Sequence, residues 1–206
     1  MLTPRNARSA TLATALTFAL AATAPATSTG PQPGMTGVPA GAGADAEMTC
    51  VQCHVAPTPE APEQSPGSLT IDGLPEAFEP GERYTLELAI AHPDETLLRW
   101  GFQLTAVSGE GLSGAGEFVV TDPVRTQVVA GASERQYIEH TYNGTAIGEA
   151  GGTSWTFDWI APAHGTDAVS FFATGNAANT DGSQQGDYIV TRSPEPLIVV
   201  PPAESP

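Results

Sequence analysis

Positive charge is scarce in this sequence. It has no lysine, and its seven arginines face 23 aspartates and glutamates, for a net charge of −16. Without residues 1–26, which hold Arg5 and Arg8, five arginines remain against 23 acidic residues, a side-chain charge of −18. Such a surface repels polyanions, so neither a nucleic acid nor an anionic membrane is an expected partner. It serves solubility first and a basic partner protein second. Long apolar runs are also lacking. The stretch from Leu12 to Ala22 is too short and too rich in Ala and Thr to span a bilayer, and the apolar residues 197–200 stop at Pro201. Cysteine is nearly absent. Cys50 and Cys53 are the only two, which excludes a disulfide framework and a four-cysteine zinc site. No segment combines helical periodicity with good caps. Neither a Gly-x-Ser-x-Gly elbow nor a phosphate-cradling glycine loop ahead of a helix occurs, so nothing points to a hydrolase or a nucleotide site.

What is present begins with the N-terminus. Arg5 and Arg8 precede the apolar run, no acid intervenes, and Ala24-Pro25-Ala26 is a small-x-small cleavage site. This is the pattern of a secretory signal peptide over 1–26. No twin-arginine pair is present, and no cysteine follows the cleavage region to take a lipid. The expected location is secreted or periplasmic.

The two cysteines stand in Cys50-Val51-Gln52-Cys53-His54. This is the attachment pattern for a c-type haem. Each thiol adds across one vinyl group of the porphyrin, and two intervening residues let both sulfurs reach one ring. The next residue, His54, then falls under the iron as its proximal ligand. Three other readings compete. A thioredoxin-like dithiol needs a βαβ setting, which is missing. A zinc site needs further ligands, although Cys2His with one more histidine satisfies that count. A disulfide across two residues is strained and closes almost no loop. Haem attachment is favoured, and it agrees with export, since haem c is attached outside the cytoplasm.

Residues 27–66 are rich in Gly, Pro, Ala and Thr and are expected to form a mobile or extended arm carrying the motif, with a short helical turn around it. From residue 67 the period becomes two. Tyr84, Leu86, Leu88 and Ile90 alternate with smaller or polar residues, as do Trp100, Phe102 and Leu104, and Trp155, Phe157 and Trp159. Shorter runs read alike at 68–71, 117–120, 126–129, 136–141, 169–173, 188–191 and 197–200. Pro80-Gly81, Pro93-Asp94, Asn143-Gly144, Gly151-Gly152 and Asp181-Gly182 separate them as turns. About ten such strands, each with one buried face, predict an antiparallel β-sandwich over 67–200 with the tryptophans in its core and a tail at 201–206.

Several segments resemble the reeler-type or choice-of-anchor extracellular β-sandwich domains. They are Gly67-Ser68-Leu69-Thr70 with Gly73-Leu74-Pro75, Pro80-Gly81-Glu82-Arg83-Tyr84-Thr85-Leu86, and Trp100-Gly101-Phe102-Gln103-Leu104-Thr105. Tyr137-Ile138-Glu139-His140-Thr141, Ser154-Trp155-Thr156-Phe157-Asp158-Trp159 with Ala161-Pro162, and Gly175-Asn176-Ala177-Ala178-Asn179 running to Gly186-Asp187-Tyr188-Ile189 complete them. The resemblance spans roughly 49–191 and implies an immunoglobulin-like fold. Bacterial members often carry Cys-x-x-Cys-His ahead of the sandwich, as here. Many continue into an anchoring segment, which is not read after Val200, so whether the protein is surface-attached stays open.

The sixth iron position decides what such a haem does. The candidates are His92, His140, His164, Met35 and Met48. Met48 is too close to Cys50 to curl to the opposite face, and Met35 is on the arm. His92 and His164 read as exposed loop residues. His140 lies in a strand, on the face of Ile138, and is the favoured ligand; Glu139 is expected to point away from it. In 175–186, Asn176, Asn179, Asp181 and Asp187 offer oxygens for calcium, but the spacing is not that of an EF-hand and Asx turns are the better reading. The function expected is one covalent haem c, held by Cys50, Cys53 and His54 with iron bound by His54 and His140. Its role is electron transfer with a redox partner protein rather than catalysis. A non-catalytic binding or adhesion module, and an open-site haem sensor or peroxidase, are the alternatives.

Overall fold

The computed structural model describes residues 27–42, 44–57, 65–164, 167–191 and 197–200. Residues 1–26, expected to be a signal peptide, and the expected tail at 201–206 lie outside these residues. Eleven strands follow in order: β1 (Ser68–Asp72), β2 (Arg83–Ala91), β3 (Arg99–Ser108), β4 (Ser113–Gly114), β5 (Glu117–Val119), β6 (Thr126–Ala130), β7 (Gln136–His140), β8 (Gly152–Ile160), β9 (Val169–Ala178), β10 (Tyr188–Thr191) and β11 (Leu197–Val199). Ten of them are those that alternation predicts. The two-residue β4 carries no pattern to read.

All ladders between these strands are antiparallel, and they build the expected sandwich. One sheet has the order β1-β2-β8-β5. The other runs β10-β9-β3-β7-β6, with β11 paired to β9 and β4 to β3. Leu86, Leu88, Trp155, Phe157 and Trp159 of the first sheet meet Trp100, Phe102, Leu104, Ile138 and Phe171 of the second in one core. Each indole N–H donates to a backbone carbonyl: Trp100 to Glu149 at 2.9 Å, Trp155 to Gly144 at 2.8 Å and Trp159 to Ala115 at 3.0 Å. The core therefore gains the area of three tryptophans without stranding a donor.

Strict alternation fails where the larger sheet has a second cover. Every residue of β3 from Trp100 to Val107 is buried, and so are the last four of β7. The cover is the N-terminal arm, and here the expectation of an unpacked arm is corrected. Met35, Thr36 and Val38 are buried. The described part of the arm ahead of Cys50 forms no named strand or helix, and several of its backbone groups are satisfied by long side chains of the sheet. Met35 N donates to Gln103 Oε1 at 2.7 Å, Gln103 Nε2 donates to Gln32 O at 3.0 Å, and Gln127 Nε2 donates to Thr29 O at 2.7 Å. Beyond that clamp the arm doubles back. Gly37 N donates to Met48 O at 2.9 Å and Glu47 N to Val38 O at 2.8 Å, which returns the chain toward Cys50.

Candidate functional site

The Cys-x-x-Cys-His segment folds as a 3-10 turn over Cys50–Gln52. Thr49 N donates to the side chain of Gln52 at 2.7 Å, and His54 N to Cys50 O at 2.9 Å. Both ends of the turn are thus closed, and the two thiols and the imidazole project from one compact loop. The next residue is pinned by backbone bonds: Val55 N donates to Gln184 O at 2.7 Å, and Gly186 N to Val55 O at 2.8 Å. That pairing brings His54 against the residues just before β10.

His54, Cys50 and Cys53 line a cavity of about 880 Å³. Its walls are the arm at Gln32 and Met35, the start of β3 at Arg99–Phe102, the end of β9 at Asn176 and Ala178, and the loop up to Asp187. His140, 86 positions beyond His54 in sequence, lines the same cavity from the end of β7. A cavity of this size falls in the range of cofactor sites, roughly 300–1,000 Å³.

Each imidazole is anchored through Nδ1. His54 Nδ1 lies 2.5 Å from Asp187 Oδ2. Asp187 is buried, and its other oxygen accepts from Asn179 N at 3.1 Å. Asn176 Nδ2 lies 3.1 Å from the same His54 nitrogen, and its Oδ1 is buried without a partner. His140 Nδ1 lies 3.0 Å from Phe102 N and 3.1 Å from Phe102 O. The β3–β7 ladder is registered as far as Gln103↔Glu139, and the His140 ring then takes the place of the next backbone partner. Glycine at 101 makes room for it. A Cβ there would stand 2.7 Å from His140 Cε1. Burial, aided by the nearby Arg99 and His54, pushes the His140 pKa down to about 4, against the opposing hydrogen bond to Phe102. His140 is therefore neutral at physiological pH, with a lone pair to give. Burial and the neighbouring Cys53 push the Cys50 thiol up to about 12, so Cys50 is a neutral thiol, not a thiolate.

The other candidates separate cleanly. Met35 lines the cavity and is buried, whereas Met48 is exposed and outside it. His164 is exposed, as expected. His92 is not an exposed loop residue. It is buried, its Nδ1 accepts from Asp94 N at 3.1 Å, and its ring packs on Tyr188 at 4.6 Å. It does not line the cavity. Glu139 does point away from the cavity, but into buried surroundings. It accepts from Gln103 and Gln127, the two amides that hold the arm, and burial lifts its pKa to about 7. In the loop after β9, Asn179 and Asp181 close Asx turns onto Asp181 N and Ser183 N. Asn176 and Asp187, grouped with them as calcium candidates, instead face His54. Sequence reasoning missed Gly101, Asn176 and Asp187 as parts of one site. The only signal was that Asp187 opens a strand whose next residues are apolar, an odd place for a lone acid.

A model of the Reeler domain family matches residues 49–180. No curated protein matches the sequence. Among solved structures, the human F-spondin reeler domain is similar at 20% identity, over 69% of this chain and 93% of that one, with a TM-score of 0.47. The Reelin-N domain of F-spondin is similar at 20% identity over 75% and 96%, with a TM-score of 0.47. AvmM, which catalyses macrocyclization in alchivemycin A biosynthesis, is similar at 11% identity over 69% and 93%, with a TM-score of 0.43.

Proposed function

The chain belongs to the Reeler domain family, and we propose that it is an exported module of that fold which carries one covalent haem c between its arm and its larger sheet. The observation that carries this reading is that Cys50, Cys53, His54 and the remote, buried His140 line one cavity. The residues fit the group by their own chemistry. Two thiols separated by two residues serve for attachment. Two imidazoles each have Nδ1 against a protein partner, which is how metal-binding histidines are commonly oriented; Asn176 Nδ2, 3.4 Å from His54 Nε2, is the donor that iron would displace. Asn176 Oδ1 is an orphaned buried acceptor, and Arg99 supplies a cation at the wall for an acidic substituent.

Haem c held by two histidines supplies one-electron transfer between ferric and ferrous iron. The chain's part is to hold both imidazoles rigidly and keep water from the site. Phe102 and Trp100 line the cavity and are fully buried, so the wall toward the sandwich is apolar. The acidic surface selects a basic redox partner outside the cytoplasm. Family membership on its own favours a second reading, a non-catalytic extracellular binding or adhesion module in which the cavity takes another ligand.

Expression of the full precursor with the c-type maturation machinery, followed by mass measurement and a haem stain on a denaturing gel, decides between them. One haem mass that survives denaturation, and is lost in Cys50→Ala with Cys53→Ala, is expected. His140→Ala should then convert a low-spin spectrum to high-spin and admit carbon monoxide, while His92→Ala and His164→Ala leave it unchanged. A mature chain with no added mass overturns the haem reading. A spectrum governed by Met35 overturns the choice of His140.

A further inference from the structure

We infer that Asp187 is a positioning residue for His54: its carboxylate holds the imidazole as the Nδ1–H tautomer and so reserves Nε2 as the metal-binding nitrogen. The last step rests on the haem reading; the hydrogen bond itself does not. A lone carboxylate is costly to bury, and Asp187 is 1% exposed. Its hydrogen-bond partners among the described residues are Asn179 N, at 3.1 Å from Oδ1, and His54 Nδ1, at 2.5 Å from Oδ2. The bond to Asn179 needs only a neutral oxygen, which asparagine supplies equally well. An acid is required only on the side that faces His54, where an acceptor with no hydrogen of its own dictates that Nδ1 carries the proton.

The surroundings hold this pair in place. The backbone bonds of Val55 to Gln184 and Gly186 fix His54 beside Asp187 from one side, and on the other Asn176 Nδ2, a donor 3.1 Å from Nδ1 and 3.4 Å from Nε2, finds its acceptor at Nε2 when Nδ1 carries the proton. A carboxylate on Nδ1–H also makes the imidazole a stronger donor through Nε2, which stabilises ferric over ferrous iron. Asp187 therefore sets the haem potential lower than the same histidine would give with an amide behind it. His140 Nδ1 has no carboxylate in the equivalent place; it faces the Phe102 backbone, with N at 3.0 Å and O at 3.1 Å. As ligands to a haem the two histidines would thus be unequal donors, and His54 would carry the tuning.

Asp187→Asn is the informative change. It keeps the oxygen for Asn179 N but presents an NH2 to His54 Nδ1, which must then accept, moving the proton to Nε2. Two measurements apply. In the full mature chain with Cys50→Ser and Cys53→Ser, free of haem, long-range proton–nitrogen NMR at alkaline pH reads the His54 tautomer directly. Nδ1–H is expected while Asp187 is intact, and Nε2–H in the Asp187→Asn variant. In the haem-loaded protein, potentiometry should show a higher midpoint for Asp187→Asn, with a weakened low-spin spectrum. His54 in the Nε2–H form with Asp187 intact, or a midpoint unmoved by the substitution, overturns the assignment. A chain that takes up no haem yet shows Nδ1–H defeats the haem reading alone and supports the role given to Asp187.

Discussion

The ion pair that fastens the arm offers the sharpest test of how this site is built. Glu47 lies three residues before Cys50, and both of its oxygens are in use. Oε1 accepts from Arg135 Nη1 and from the Tyr137 hydroxyl, each at 2.5 Å, and Oε2 accepts from the Thr36 hydroxyl at 2.5 Å. The side chains of Arg135 and Glu47 are 4% and 8% exposed. Arg135 Nε also donates to Leu112 O at 2.8 Å, while Nη2 is buried with no partner. Glu47→Ala therefore leaves a buried guanidinium without counter-charge and two hydroxyls without an acceptor. Breaking one side of such a pair costs about 3–5 kcal/mol, against a typical total stability of about 5–15 kcal/mol. The double change Glu47→Leu with Arg135→Met removes charge and counter-charge together and should recover most of that loss. Urea unfolding followed by tryptophan fluorescence gives the global cost. Hydrogen exchange at Gly37 and Glu47, whose amides hold the returning arm, shows whether the arm opens before the sandwich does. Faster exchange there, with a global loss of about 3 kcal/mol or the arm's opening in its place, is the expected result for Glu47→Ala. A midpoint within about 0.5 kcal/mol of wild type, with exchange at both amides unchanged, refutes the latch.

Two further outcomes follow from the same geometry. Gly101→Val should displace the His140 ring, costing about 1–3 kcal/mol as overpacking and turning the haem-loaded spectrum toward high-spin, with Gly101→Ala intermediate; an unchanged spectrum in both refutes the close approach. Glu139 has its pKa raised from 4.5 to about 7, so its contribution to stability is full below pH 4.5 and falls as pH rises through 7. That loss is about 3 kcal/mol at roughly 1.4 kcal/mol per unit. Glu139→Gln should flatten that fall between pH 4.5 and 7 in urea titrations of the cysteine-free chain, and a slope identical to wild type would contradict it.

Much of the sandwich was legible because its core is written in period two. Tyr84-Leu86-Leu88-Ile90 and Trp155-Phe157-Trp159 pair across β2 and β8 in one register, Leu86 with Phe157 and Leu88 with Trp155. Where a strand is covered on both faces, alternation no longer tells the faces apart. Gln103, Thr105 and Glu139 are buried polar residues, and a pattern that sorts residues by polarity assigns them to solvent. Nothing in the local sequence announces that Gln32 and Met35 will meet Gln103, which stands 71 and 68 positions later. The arm itself has no period because it has no ladder. It is held by side chains acting as backbone partners and by a few backbone bonds where it doubles back, and composition alone reads such a segment as loose. His92 fails for a related reason. A histidine before Pro93 looks like a turn residue, yet its ring finds Tyr188 from a strand far along the chain.

The motif suggested a chemistry in the sequence but not a place. Cys50, Cys53 and His54 are close neighbours in sequence, so their spacing states a reaction. A site needs the opposite wall, and that wall is assembled from the ends of three strands that share no local signal. His140 stood out only by strand position. What the fold adds is the reason that position is usable: β7 stays paired with β6 at His140 but its ladder to β3 has ended, so the side chain can bond Phe102 through Nδ1. A histidine one residue earlier would have a backbone partner competing for Phe102 or Gln103, and one residue later would leave the strand. The same logic places Asp187, the last residue before β10, where the chain has just been pinned to Val55. Strand ends in this protein are where backbone groups run out of partners and side chains take over, and the candidate site gathers three of them.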